Sequence, residues 1–332
     1  MLQKVTMTDV DRECVYGQTL QQIKEQKGDL PRLGMEVLMW VSHAERPLRI
    51  KELCHALAAD VEATDLDPKN ILLQDTILGS CLGLVMVDKE TSVVRLIHHT
   101  LQEYLSRPWI LPGAHKRLGE ICLAYLNYDQ VKGLPVNNAE DPEHMPFLRY
   151  SSIYWGAHAK IELSDCAKTL ALGLLNRYGS HISYAIFCKK KWPSCYIRSH
   201  GFTGLHCASY FGVDGVVAAL IEMKVCDINQ ADSDRNTPLM WAVRQGNHGV
   251  VRLLLSYDRI DPDKAGSYLK TPLMWASENG DERMVKLLIR GGANPNEIDI
   301  WGETALMKAS AEKHMDIVAL LQPGAAAIFT LD

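Results

Sequence analysis

The stretch Thr237-Pro-Leu-Met-Trp-Ala242, with its counterparts Thr203-Gly-Leu-His206, Thr271-Pro-Leu-Met274 and Thr304-Ala-Leu-Met307, decides how the last third of this chain folds. The four tetrads begin 34, 34 and 33 residues apart, and a fixed period of this size marks a stack of like units. An alanine follows each tetrad (Ala208, Ala242, Ala276, Ala309), and a glycine then follows in three copies (Gly212, Gly246, Gly280). Each unit closes on an aliphatic run such as Val250-Val-Arg-Leu-Leu-Leu255. The threonine can cap an inner helix, and Pro238 or Pro272 suits the first helical position, where no amide hydrogen is missed. The alanine permits close helix contact, the glycine takes the left-handed conformation that ends the helix, and the aliphatic run forms an outer helix.

This pattern resembles the ankyrin repeat, a helix pair that cannot cover its apolar faces alone and therefore stacks on its neighbours. Four copies are read. Met240, Trp241, Met274 and Trp275 are expected to pack between consecutive inner helices. In the last copy Lys308 stands where Trp241 and Trp275 stand, and Glu312 and Lys313 replace the glycine turn, as a polar terminal layer would. The resemblance implies that a protein partner is held by the hairpin tips and the concave side of the inner helices. Carried over by position, that surface comprises Asp234, Asn236, Arg244, Gln245, Tyr268, Lys270, Glu278, Asn279, Trp301 and Glu303. Tyr268 and Trp301 stand out among them, because aromatics at hairpin tips are seldom needed for a core and are enriched among interface anchors.

Upstream, Leu30 to Val41 and Ile50 to Ala58 read as helices, and Ile71 to Cys81 as a third, after Asp67-Pro-Lys-Asn70. Leu84-Val-Met-Val87 and Val93-Val-Arg-Leu-Ile97 flank the polar turn Asp88 to Ser92 and read as a β-hairpin. Helical spacing returns from His98 to Leu105, which completes a winged-helix arrangement. Between Leu33 and Ser106 there are six basic and eleven acidic side chains, so the wing lacks the basic face that phosphate contact requires. Ala114 to Lys191 is helical in pattern and is expected to connect the wing to the first repeat and to cover its apolar end. The fold class is thus mainly α: an N-terminal segment (1–29), a winged-helix domain with a small hairpin (30–110), a helical connector (111–200), an ankyrin solenoid (201–325) and a tail (326–332). Lys189-Lys-Lys-Trp192 reads as a solvated loop more readily than as a nuclear-entry signal.

Val37-Leu-Met-Trp-Val-Ser-His-Ala-Glu-Arg-Pro-Leu48, Glu52-Leu-Cys-His-Ala-Leu57 and Arg95-Leu-Ile-His-His-Thr-Leu-Gln-Glu-Tyr-Leu105 look like the winged-helix region of fungal NACHT-ankyrin proteins, a domain also named after GPI inositol-deacylase. Leu148 to Ala159 is similar to that family too. In such NLR-like proteins a nucleotide-binding NACHT domain precedes the wing. Here the G-x-x-x-x-G-K-[ST] phosphate loop is absent from the sequence, and the sequence begins almost at the wing. His98 corresponds to the histidine that contacts the resting nucleotide in related switch ATPases; a capping role at the strand-to-helix junction is the simpler expectation.

A net charge of −5 and a pI near 6.2 favour protein partners over nucleic acid or an anionic membrane. Nine scattered cysteines, never spaced Cys-x-x-Cys, read as reduced core residues. No signal-peptide layout and no apolar run of spanning length is present, so the expected location is cytoplasmic, with the nucleus second. Nucleophile-elbow, zinc-protease, dinucleotide and phosphate-loop motifs are absent from the sequence. The expectation is a non-catalytic adaptor that needs no cofactor or metal. The alternative is a part or partner of a NACHT-type signal-transducing NTPase, of the innate-immunity or heterokaryon-incompatibility kind, and transcriptional control through the wing is a weaker third.

Overall fold

The computed structural model describes residues 9–136, 142–191, 201–224 and 226–322. The expected tail (326–332), Trp192 of the lysine cluster and Cys195 lie outside the described residues. The chain divides into two compact units, the described residues of 1–134 with 140–164, and those of 135–139 with 165–332. The helical region 111–200 is therefore shared between them. Among the described residues no helix is long and apolar enough to cross a membrane.

The first unit contains α1 (Asp9–Lys24), α2 (Leu30–His43), α3 (Ile50–Ala58), α4 (Gln74–Ser80), β1 (Val85–Val87), β2 (Val94–Leu96), α5 (His99–Leu105), α6 (Ala114–Asn127), α7 (Asp129–Lys132) and α8 (Leu148–Ile161). Helix α2 is its hub: Val37, Leu38 and Trp40 are buried, and the helix touches α1, α3, α4, α5, α6 and β2. Gly34 lets α4 approach, since a Cβ there would lie 2.6 Å from the carbonyl oxygen of Ser80. The strands pair antiparallel with Met86 opposite Arg95. Asp88 closes their turn by accepting the amides of Glu90 at 3.0 Å and Thr91 at 3.1 Å. His98 caps α5: its Nδ1 accepts the amide of Thr100 at 3.2 Å, as the capping expectation has it.

The hairpin and the helix from His99 follow the sequence reading closely. The third helix starts later than its apolar spacing suggests, at Gln74, since the backbone is still extended at Ile71 and Leu73, and Pro68–Asn70 forms a separate short 3-10 turn capped by Asp67. Helix α1 has no counterpart in that reading; it is largely polar, yet Tyr16, Leu20 and Ile23 fall on one face, and the helix packs on α2 and α5. Helices α6 and α8 lie along each other, and the aromatic rings of Trp40, Tyr125, Tyr128, Phe147 and Tyr150 fill the space among α2, α6 and α8.

The second unit contains α9 (Asp165–Leu175), α10 (Ile182–Lys191) and four helix pairs: α11 (Gly204–Phe211) with α12 (Asp214–Glu222), α13 (Pro238–Arg244) with α14 (His248–Leu255), α15 (Pro272–Glu278) with α16 (Glu282–Arg290), and α17 (Ala305–Ala311) with α18 (Met315–Leu321). Inner helices contact inner helices along the series, and outer contact outer. The predicted caps, close-packing alanines and helix-ending glycines are present. Thr237, Thr271 and Thr304 accept the amides of Met240, Met274 and Met307, and the four alanines are buried. Gly212, Gly246 and Gly280 have φ of 79°, 65° and 72°, and Lys313 takes the same left-handed conformation at 63° without glycine's freedom. Helix α9 packs on both α11 and α12, and Gly204 admits it: a Cβ there would lie 2.3 Å from the carbonyl oxygen of Leu175.

The first repeat replaces the tetrad methionine with His206, which is fully buried and bonds the amide of Thr203 at 3.0 Å. Desolvation lowers its pKa from 6.5 to about 4, against the pull of hydrogen bonds to the carbonyls of Asn236 and Gln230. Above pH 6.5 folded and unfolded chains both hold it neutral; from there down to about 4 the unfolded chain binds the proton first, so stability falls. His206→Met, the residue at the three equivalent positions, is expected to remove this loss, measured as a flatter dependence of the urea midpoint on pH between 6.5 and 4.

Candidate protein-binding surface

The tips between repeats are short reverse turns whose chemistry varies with one residue. Asp232 and Asp299 each fold a turn over their own carboxylate: Oδ1 of Asp232 accepts the amides of Asp234 and Asn236, and Oδ1 of Asp299 those of Trp301 and Glu303. The equivalent residue between them is Gly266, where a Cβ would sit 2.6 Å from Sδ of Met240. All three turns share a backbone closure, the amide of Asp232, Gly266 or Asp299 donating to the carbonyl of Asn236, Lys270 or Glu303 at 3.0, 2.9 and 3.1 Å, and the middle turn lacks the carboxylate that the other two add. Tyr268 and Leu269 are held at φ 60° and 56°. Asn and Gly favour such a turn; a bulky side chain there costs on the order of 1 kcal/mol. Adjacent tips are tied together, the amide of Ile300 donating to the carbonyl of Tyr268 at 3.1 Å and Oγ of Ser267 to that of Asp234 at 2.6 Å.

These ties bring Tyr268 and Trp301 together. Their rings stack with centroids 5.5 Å apart and planes inclined by 27°, and they are 61% and 60% exposed. Leu269, Ile298 and Ile300 are exposed on the same two tips, so the middle and last tips carry five exposed large apolar side chains. Single exposed apolar residues are ordinary, whereas a contiguous patch marks an interaction surface.

Inward from the tips, rings and cations alternate. Arg244 lies between the rings of Trp241 and Trp275, 4.8 and 4.5 Å from their centroids, and Lys270 stands 4.6 Å from that of Trp275. The same ammonium of Lys270 is paired with Glu278 at 2.7 Å. Burial pulls the pKa of Arg244 down, against Asp232 and Asp234. Met240 and Met274 are core residues as expected, and Trp241 is buried with its Nε1 donating to Asp232 at 2.8 Å. Trp275 departs from the expectation: it is half-exposed on the face, with cations over its ring.

Of the ten residues expected on this surface, Asp234, Gln245, Tyr268, Asn279 and Trp301 are exposed. Arg244, Lys270, Glu278 and Glu303 are half-buried in intramolecular pairs. Asn236 is buried, and its carbonyl accepts from Nε2 of His206 at 3.2 Å, so it holds the first two repeats together and offers nothing outward. Lys308 is a second correction. It lies only 8% exposed, bonded to Asp299 at 2.7 Å and to Glu303, with its ammonium 5.1 Å from the Trp301 ring centroid. It is an internal ion rather than part of a solvated layer. The sequence reading missed Leu269, Ile298 and Ile300, whose signal was an apolar residue where turns are ordinarily polar.

Residues 22–109 match the family model described as the winged helix domain of GPI inositol-deacylase, and residues 165–265 and 263–328 match that of ankyrin repeats in three copies. The chain is thus one in which a winged-helix domain of that type is followed by ankyrin repeats. The repeat match begins where α9 begins. No curated protein matches this chain.

Proposed function

We propose that the chain is a non-catalytic adaptor that holds a protein partner on its ankyrin face, anchored by Tyr268 and Trp301, with the winged-helix unit as a regulatory platform of the NLR-like kind. The observation that carries this reading is the stacked, solvent-facing ring pair, set on a turn that tolerates backbone strain to display it. Interface anchors cost at least about 2 kcal/mol when truncated, which is roughly 30-fold in affinity. The variant carrying Tyr268→Ala and Trp301→Ala is expected to keep its thermal midpoint and to lose partner capture by that factor. Affinity capture with the immobilised full chain, quantified against the variant, tests it; equal recovery of every bound protein would count against the assignment.

The cytoplasm is the proposed location. A second reading, association with a separate NACHT-containing chain, is supported by the position of His98: it is exposed at the start of α5, with Nδ1 occupied by its own cap. Under that reading His98→Ala weakens capture of a nucleotide-binding chain and leaves the ankyrin partner in place.

A further inference from the structure

Away from the ankyrin face, three histidines gather in the first unit. His115 on α6 and His158 on α8 face each other with their Nδ1 atoms 2.9 Å apart. His43, at the end of α2, meets the His115 ring edge-on at 5.5 Å, and its Nδ1 is occupied by Oγ of Ser42 at 2.8 Å. A carboxylate oxygen of Glu45 and one nitrogen each of His115 and His158 all lie within 4.8 Å of one another. We propose that Glu45, His115 and His158 bind a divalent cation of the zinc type.

Two Nδ1 atoms at 2.9 Å can share only one proton, so a lone pair already points across the gap. A cation takes the place of that proton. Tetrahedral coordination with Zn–N bonds of about 2.0–2.1 Å sets the two nitrogens about 3.4 Å apart, so the rings need to separate by about 0.5 Å. Two nitrogens and one carboxylate oxygen are the donor set of a zinc site that keeps an open position. That position has room: a cavity of about 550 Å³ opens here, lined by His43, Glu45, His115 and a second carboxylate, Glu162, among others. The outer shell is built as well. Nε2 of His158 lies 2.9 Å from the hydroxyl of Tyr150, which also accepts the backbone amide of Glu45 at 3.0 Å; such partners orient ligating imidazoles. Burial keeps both rings neutral, the form that ligates. It lowers His158 to about 3, with His115 and His43 adding to the shift, and it lowers His115 against the pull of Glu45 and Glu162.

The test uses the full chain, stripped with chelator, with the exposed thiols Cys14 and Cys166 alkylated. It is titrated with Zn²⁺ by calorimetry and with Co²⁺ by absorbance. One equivalent of Co²⁺ is expected, with ligand-field bands of a nitrogen and oxygen site and no sulfur charge-transfer band, displaced by Zn²⁺. His115→Asn and Glu45→Gln alter side chains that are not buried, and each is expected to weaken Zn²⁺ binding by at least about 10-fold, the loss that removal of an outer-shell partner alone produces. Unchanged affinity in both variants with a native circular dichroism spectrum would overturn the proposal. A sulfur band would do the same, and so would an absence of binding, which would leave a pair of rings joined by a proton.

Discussion

Replacing Phe147 with alanine is expected to cost the first unit about 3–5 kcal/mol, the range for deleting a fully buried large aromatic side chain. The ring meets Trp40 and Tyr125 edge-on, each at 5.3 Å, and stacks on Tyr150 at 5.5 Å. It therefore touches α2, α6 and the start of α8 at once, and no single neighbour can move in to fill its place. Amide hydrogen exchange resolved by peptide gives the measurement. Exchange of the most protected amides in these helices should accelerate roughly 100-fold or more. A change of less than about 1 kcal/mol would mean that these rings are not the centre of the unit. Phe147→Leu retains much of the volume and should cost markedly less.

The second large effect is expected from Lys308→Met, which keeps the apolar stem and removes the charge. Asp299 is 3% exposed, and without the ammonium its carboxylate keeps only the amides of Trp301 and Glu303. Breaking a buried pair from one side is strongly destabilising, and we expect a loss of about 3 kcal/mol, localised to the last repeat and read by exchange in α17 and α18. Adding Asp299→Asn should restore part of it, because no unpaired charge then remains buried. The pH dependence follows from the pair. Desolvation raises the pKa of Asp299, but the hydrogen bond from Lys308 and the two amides outweigh it and hold it below the usual carboxylate value. Its contribution is therefore present above the ordinary aspartate pKa and lost as pH falls through the lower folded value. For Lys308 desolvation lowers the pKa, and the bonds to Asp299 and Glu303 raise it overall. That contribution is complete below the ordinary lysine pKa and disappears as pH rises through the folded value. The last repeat of the parent chain should thus show a plateau across neutrality, and in Lys308→Met the acid limb from this pair should shrink.

Much of the architecture could be read from the residues alone. The solenoid was legible because Thr203, Thr237, Thr271 and Thr304 repeat a cap, a helix start and a close-packing alanine at one period. The wing was legible from the change of apolar spacing between Ile77 and Leu101. Helix α1 was not, since its three buried side chains are diluted by polar ones. The cover that α9 gives the first repeat was expected of this helical region, but the break after Ser164 that divides the region between the two units was not legible, because helical spacing runs on both sides of it. The surface was readable residue by residue but not as an arrangement. Arg244 and Lys270 look like free cations in one dimension; only stacking of successive repeats places one guanidinium between Trp241 and Trp275. Lys308 looks like a solubilising cap until Asp299, from the preceding turn, is seen beneath it.

The alternation of Trp241, Arg244, Trp275 and Lys270 has a mechanical meaning. Helical solenoids yield by flexing between neighbouring copies, and here that hinge is bridged by a cation set over a ring from each copy. The hollow between the second and third copies is accordingly stiff before any visitor arrives. Little motional freedom is left to surrender on docking, so the speed of capture is governed by how often a suitably shaped body arrives in the correct orientation.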